Sequence, residues 1–330
     1  MALTSPPDAN KQDPIVFLIS HMTPDVRLQV FDQPFHIHSM VLRIHSSFFR
    51  TFLDSVDKTD IAPSATGFAY DSITEIDADG QGWNLVRSEK KIYSTSFSKF
   101  SGNTKYQTVA FGKLMRCMYY RDLKLEGVDE LKVILALSDY FGMLRSFSGN
   151  LTDALFMNGS IKPNENNCLD LLEIAVKCRH RILYNDCLIL AINPWREPRY
   201  LKLQNETLKS KAEEAHMKVA SRVEKTHSHI LSFVAEGRMQ DTKFVQAVRS
   251  STASVGYGFN VARYFRTMRD AGCDVQRHGK YGEKPLSDVL SSNLILDTKA
   301  ESGGCHSPDS FFCLDIKTCD LPWDIMEVDW

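Results

Sequence analysis

Histidine and cysteine are the residues here best suited to metal binding or nucleophilic chemistry, and the chain has ten of the first and eight of the second. Four histidines fall in pairs, His36 with His38 and His227 with His229. Residues two apart on a strand share a face, so the first pair has the spacing to hold an ion. The cysteines stand at 117, 168, 178, 187, 273, 305, 313 and 319, and in the tail, where Cys305, Cys313 and Cys319 gather, only Cys305-His306 places two ligand types close together. Zinc sites usually pair ligands about two to four residues apart, so that one turn presents both. The wider gaps here predict buried thiols, with SFFCLDI (310–316) as an extended strand. Asp77-Ala78-Asp79-Gly80 opens like a calcium loop. Without the further ligands and the closing Glu that such a loop needs, it reads as a turn. No Gly-x-Ser-x-Gly elbow, phosphate-binding loop, His-Glu-x-x-His pair or dinucleotide fingerprint occurs. No catalytic, cofactor or metal site is expected, and no enzymatic function.

With 330 residues, 43% of them hydrophobic, the chain can build two compact domains or one domain with a helical extension. Its 39 basic and 41 acidic residues leave a net charge of -2. A duplex binder needs a basic surface to release counterions, so nucleic acid is not an expected partner. Eight cysteines are too sparse for a disulfide scaffold, and MALTSPPDANKQDP lacks an apolar signal core, so reduced thiols in a cytoplasmic or nuclear protein are expected. No stretch reaches the roughly 18 to 20 apolar residues of a membrane span. The glycosylation sequons beginning at Asn150, Asn158 and Asn205 are read as chance matches.

The elements are organised around Asp25–Leu53, where the hydrophobic period changes. Val26, Leu28 and Val30 alternate with polar neighbours as in a half-buried strand, and Phe35 and Ile37 do the same across a Phe31-Asp32-Gln33-Pro34 turn. Beyond His38, Met40, Val41, Ile44, Phe48, Phe49 and Phe52 take a helical spacing that would bury one face and leave Arg43, His45 and Arg50 wet. Ser46 and Ser47 can cap a second short helix.

This order resembles the opening of the BTB/POZ domain, with Asp25, Phe35, His38, Val41, Leu42, Ser46, Phe48 and Phe49 in the positions that pattern wants. Ser39 stands where the family usually has Lys or Arg, and Ile44-His45 replace a small residue and often Arg, which weakens any inference of a charged pocket. The pattern resumes at Thr108 with a helix ending in Tyr119, the extended Leu123-x-Leu125, and a closing helical pair with Ala136, Ser138 and Asp139 at its motif. The FFCLDIKTCDLPWD ending and the Trp83 hairpin are similar to standalone BTB proteins of filamentous fungi. The resemblance implies an α+β fold over residues 15–157: a small sheet with a helical cluster, after a disordered leader at 1–14. It also implies a role in binding other proteins. Dimerisation would use Ile15, Phe17, Ile19, Met40 and Phe52; the PIVFLIS run (14–20) would be an edge strand, a swapped element or a segment tucked onto its own domain. Val128 and Glu130 resemble the hydrophobic-x-acidic motif that docks a cullin ubiquitin-ligase scaffold. A transcriptional co-regulator using the same surface is the alternative, and an enzyme without recognisable motifs is the last reading left open.

Residues 57–107 read as an insertion carrying its own hairpin, Ile73 and Ile76 against Trp83, Leu85 and Val86, and expected to be dispensable for folding. After a linker, 158–270 should be helical: Leu169–Ile192 as one long helix or two short ones, a run over about 205–235, and an amphipathic stretch at 241–270 broken at Gly256 and Gly258. The tail, 271–330, should carry one short strand.

Overall fold

The structure is a computed structural model that describes residues 12–54, 67–88, 97–158, 161–237, 241–252, 259–270, 285–291, 293–296, 311–327 and 330. The chain is α+β and mostly helical, and it divides into two compact units, Met1–Ser160 and Ile161–Trp330. The leader up to Lys11, Gly256 and Gly258, and the pair Cys305-His306 lie outside the described residues.

The first unit holds a five-stranded mixed sheet of β1 (Ile15–Val16), β2 (Val26–Val30), β3 (Gln33–Ile37), β4 (Tyr70–Ile76) and β5 (Trp83–Arg87), in the order β1-β3-β2-β4-β5. β2 and β3 form the expected hairpin, and Val26, Leu28, Val30, Phe35 and Ile37 are all fully buried. The turn is tighter than the sequence suggests. Val30 pairs with Gln33, leaving only Phe31 and Asp32 in the loop, and Phe31 takes a left-handed φ of 52°. A bulky residue rarely accepts that backbone. Here the Phe31 ring lies 5.2–5.4 Å from Phe97, Phe100 and Trp83, and its N–H donates to Thr74 Oγ1 at 2.8 Å, which offsets the cost.

The stretch expected to be a dispensable insertion supplies two of the five strands. β4 runs parallel to β2 and occupies the edge that β3 leaves free, and β5 closes the sheet antiparallel to β4. Ile73, Trp83 and Leu85 are buried, with Trp83 against Phe111 at 5.9 Å and Phe141 at 5.8 Å. Without β4, β2 would expose a row of unpaired backbone groups.

The unit's helices are α1 (Ser39–His45), α2 (Ser47–Asp54), α3 (Thr104–Met118), α4 (Val128–Tyr140) and α5 (Leu144–Asn158). Ser46 caps α2 as expected: its Oγ accepts from the Phe49 N–H at 2.9 Å and donates to Phe141 O at 2.6 Å. Phe49 is fully buried and stacks on Phe141 at 5.5 Å; Phe48 is half-buried. Gly142, φ 59°, follows α4 where any Cβ would strike Ser47 Oγ, so this close approach requires glycine. Leu123 and Leu125 are buried in an extended segment outside the sheet. α1 departs from the expected face. Val41 and Leu42 turn inward and Met40 and Ile44 outward. Asp25 sets that rotation, accepting from Ser39 N–H at 2.7 Å and Ser39 Oγ at 2.5 Å and so drawing Ser39 inside.

The second unit contains α6 (Cys168–Lys177), α7 (Arg181–Ala191), α8 (Glu206–Ala235), α9 (Asp241–Thr252), α10 (Val261–Met268) and α11 (Pro285–Leu290). Leu169–Ile192 is thus two helices. α8 buries Leu208, Ala212, Ala215, Val219, Val223, Ile230 and Phe233 within its own unit. Over 311–316, the described part of the expected 310–316 strand, no strand forms. Phe311–Leu314 and Ile316 are buried but join no sheet, because buried side chains take the place of a partner strand. Asn193 Oδ1 accepts from Phe312 N–H at 2.9 Å and its Nδ2 donates to Phe312 O at 2.9 Å. Nearby, the buried Asp186 accepts from the N–H groups of Ile295 and Leu296. Among the described residues no helix is long and apolar enough to cross a membrane.

Candidate interaction surfaces

The residues that suggested metal chemistry are dispersed by the fold. His36 lies 4.6 Å from the Phe68 ring, whereas His38 is buried at the start of α1. The His38 N–H donates to Tyr119 Oη at 3.0 Å, and Tyr119 Oη is 2.9 Å from His38 Nδ1, so one hydroxyl ties the α3 terminus to the α1 start. Burial pushes the Tyr119 phenol up to about 12, which keeps it a donor. His227 and His229 sit on one helix two positions apart, an offset that turns them to different sides; His227 meets Tyr264 and Phe265, and His229 meets Phe233. The Asp77 and Asp79 carboxylates bind their own turn, accepting from Asn84 Nδ2 and Gln81 N–H. Among the described residues no three His, Cys, Asp or Glu groups converge as a metal would require. Burial holds the Cys117 and Cys178 thiols near 12 and Cys168 and Cys313 near 11, so all four stay protonated at neutral pH.

The expected dimer residues divide. Ile15 and Met40 are exposed, and Ile19 and Phe52 are half-buried. Phe17 is only 2% exposed: its ring packs on Tyr119 at 4.8 Å with the Arg121 guanidinium 5.3 Å above it, which withdraws it from any interface. The exposed apolar residues of this region are instead Val16, Leu18, Met22, Met40 and Ile44, with Leu18 at 66% and Ile44 at 61%. β1, the β-bridge between Ile19 and Met22, and the approach of Met22 O to His38 Nε2 at 3.4 Å bring the N-terminal segment beside the start of α1.

The expected acidic docking residue also turns inward. Glu130 is 3% exposed, where it pairs with Lys113 and accepts from the Glu126 N–H at 2.8 Å; Val128 is half-buried. Only Asp129 of that trio is presented to solvent. The cause is the start of α4, where the carboxylate holds the Glu126 N–H just ahead of the helix and Lys113 of α3.

A groove of about 880 Å³ is lined by the N-terminal segment at Ile15, one face of α3, and Arg121, Asp122, Lys124 and Glu126. Lys105, Arg116, Arg121 and Lys124 line it, all exposed. Sequence reasoning passed over this face because it followed the apolar stripe of α3. The signal was present in Lys105 and Arg116, eleven residues apart and so three turns along one face. No protein-family model matches the chain, and no curated protein matches it.

Proposed function

We propose that the first unit is a protein–protein interaction module of the BTB/POZ type that self-associates. The observation carrying this reading is the exposed apolar set Leu18, Met22, Met40 and Ile44 on the N-terminal segment and α1. Grouped apolar side chains of this size favour association, and a two-fold pairing of identical patches is the commonest way to cover them. The order of hairpin, paired short helices, and a helix ending on the tyrosine that holds His38 supports the BTB/POZ assignment. Asp25 holds Ser39 at the position where the resemblance leads one to expect a basic residue, so this part of the surface departs from the family pattern. Sedimentation velocity tests the surface. The wild-type chain should run as a dimer and a Leu18→Asp, Ile44→Asp double variant as a folded monomer; equal sedimentation of the two would refute it.

A further inference from the structure

We infer that the groove along α3 receives an extended acidic segment of a partner protein. This rests on the reading of the unit as an interaction module and adds the chemistry of what it binds. The groove presents Lys105, Arg116 and Lys124 with no carboxylate partner among the described residues. Arg121 is held in place from below by the Phe17 and Tyr119 rings at 5.3 and 5.9 Å, a cation fixed without spending its charge on an acid. Lys113, by contrast, is neutralised by Glu126 and Glu130.

Apolar contact is available between these charges, since Ile15 and Val109 line the same groove at 43% and 42% exposure. Gly112 contributes no side chain to the floor; a Cβ there would come within 3.3 Å of the Phe35 ring. Lys105 and Arg116 lie about 16 Å apart along the helix, the span of about five extended residues. A short segment alternating carboxylates with apolar side chains meets both sets of contacts. A phosphate backbone meets the charges alone and leaves Ile15 and Val109 uncovered.

Selection of a random peptide library of about ten residues on phage against the full-length chain tests the inference. Enriched peptides should be rich in Asp and Glu. As synthetic fluorescent peptides they should bind the Lys105→Glu, Arg116→Glu variant at least about tenfold more weakly than wild type, and bind less at high salt. Both substituted residues are exposed, and a Lys105→Gln, Arg116→Gln variant gives an intermediate loss if charge is the cause. Lys202→Glu, an exposed residue that does not line the groove, should change nothing. No enrichment, enrichment without acidic bias, undiminished binding to the charge-reversed variant, or tighter binding of oligonucleotides than of the selected peptides would overturn it. The dimer reading is read separately, since the groove variants should sediment as wild type.

Discussion

The two units hold extended chain by different means. In the first, β2 is flanked by β3 and β4, and backbone pairs with backbone along both edges. In the second, Phe312 is flanked by no strand among the described residues, and one buried Asn193 supplies both the donor and the acceptor that a neighbouring strand would have offered. Cys313 gains a further bond to Val289 O at 3.0 Å, and the Asn293 side chain donates to Leu314 O at 2.5 Å. A ladder distributes the satisfaction of polar groups over many residues, whereas a side-chain pin concentrates it in one. The first arrangement should resist single substitutions at its polar positions and fail only when a strand is lost. The second should lose much of its stability at a single residue.

Removing a strand pair is the largest test. Deleting Tyr70–Arg87 takes two strands and the buried Ile73, Trp83 and Leu85, so the first unit should not fold, as circular dichroism and loss of amide dispersion would show. Retention of a cooperative unfolding transition in that unit would mean that the ladder is not what holds it.

Next is the pin itself. Asn193→Ala leaves the buried Phe312 N–H and C=O without partners, and each such orphan costs about 1–3 kcal/mol. A loss of about 3 kcal/mol in chemical denaturation is expected, with faster hydrogen exchange at Phe312. A change under about 0.5 kcal/mol would show that the segment is held by its apolar side chains alone.

Acid should loosen the pinned unit through His180, which caps α7 by accepting from the Leu183 N–H at 3.1 Å. Burial lowers this imidazole from 6.5 to about 4. Between those values the unfolded chain binds a proton that the folded unit does not, so the stability is fully present above about pH 6.5 and is lost as pH falls towards 4. The loss should reach about 3 kcal/mol at most. His180→Asn, which keeps a capping acceptor, should flatten this part of the pH profile; an unchanged profile would place the acid sensitivity elsewhere.

The smallest effect belongs to the first unit's own side-chain pin. Asp25→Ala removes the acceptor at the start of α1 and should cost about 0.5–2 kcal/mol, as capping changes do, without unfolding the sheet.

The same contrast explains what could be read from the residues. Strands built on alternation were visible, as at Val26, Leu28 and Val30, and so was α8, whose stripe repeats over thirty residues. α1 was not oriented correctly because a seven-residue helix spans barely two turns, and with Met40, Val41, Leu42 and Ile44 its phase is undefined until Asp25 fixes it. The burial of Glu130 depended on Lys113, a residue of another helix, and the state of SFFCLDI on Asn193, 119 residues away in sequence from Phe312. Local periodicity carries no trace of either pairing. The central place of β4 was hidden for the same reason, since the edge it fills belongs to a strand more than forty residues earlier.

Light scattering on the full-length chain over a dilution series tests most directly whether the first unit is a self-associating module. Twice the chain mass at micromolar concentration is expected, falling to the single-chain mass on dilution or with Leu18→Asp and Ile44→Asp. A single-chain mass at every concentration would contradict it.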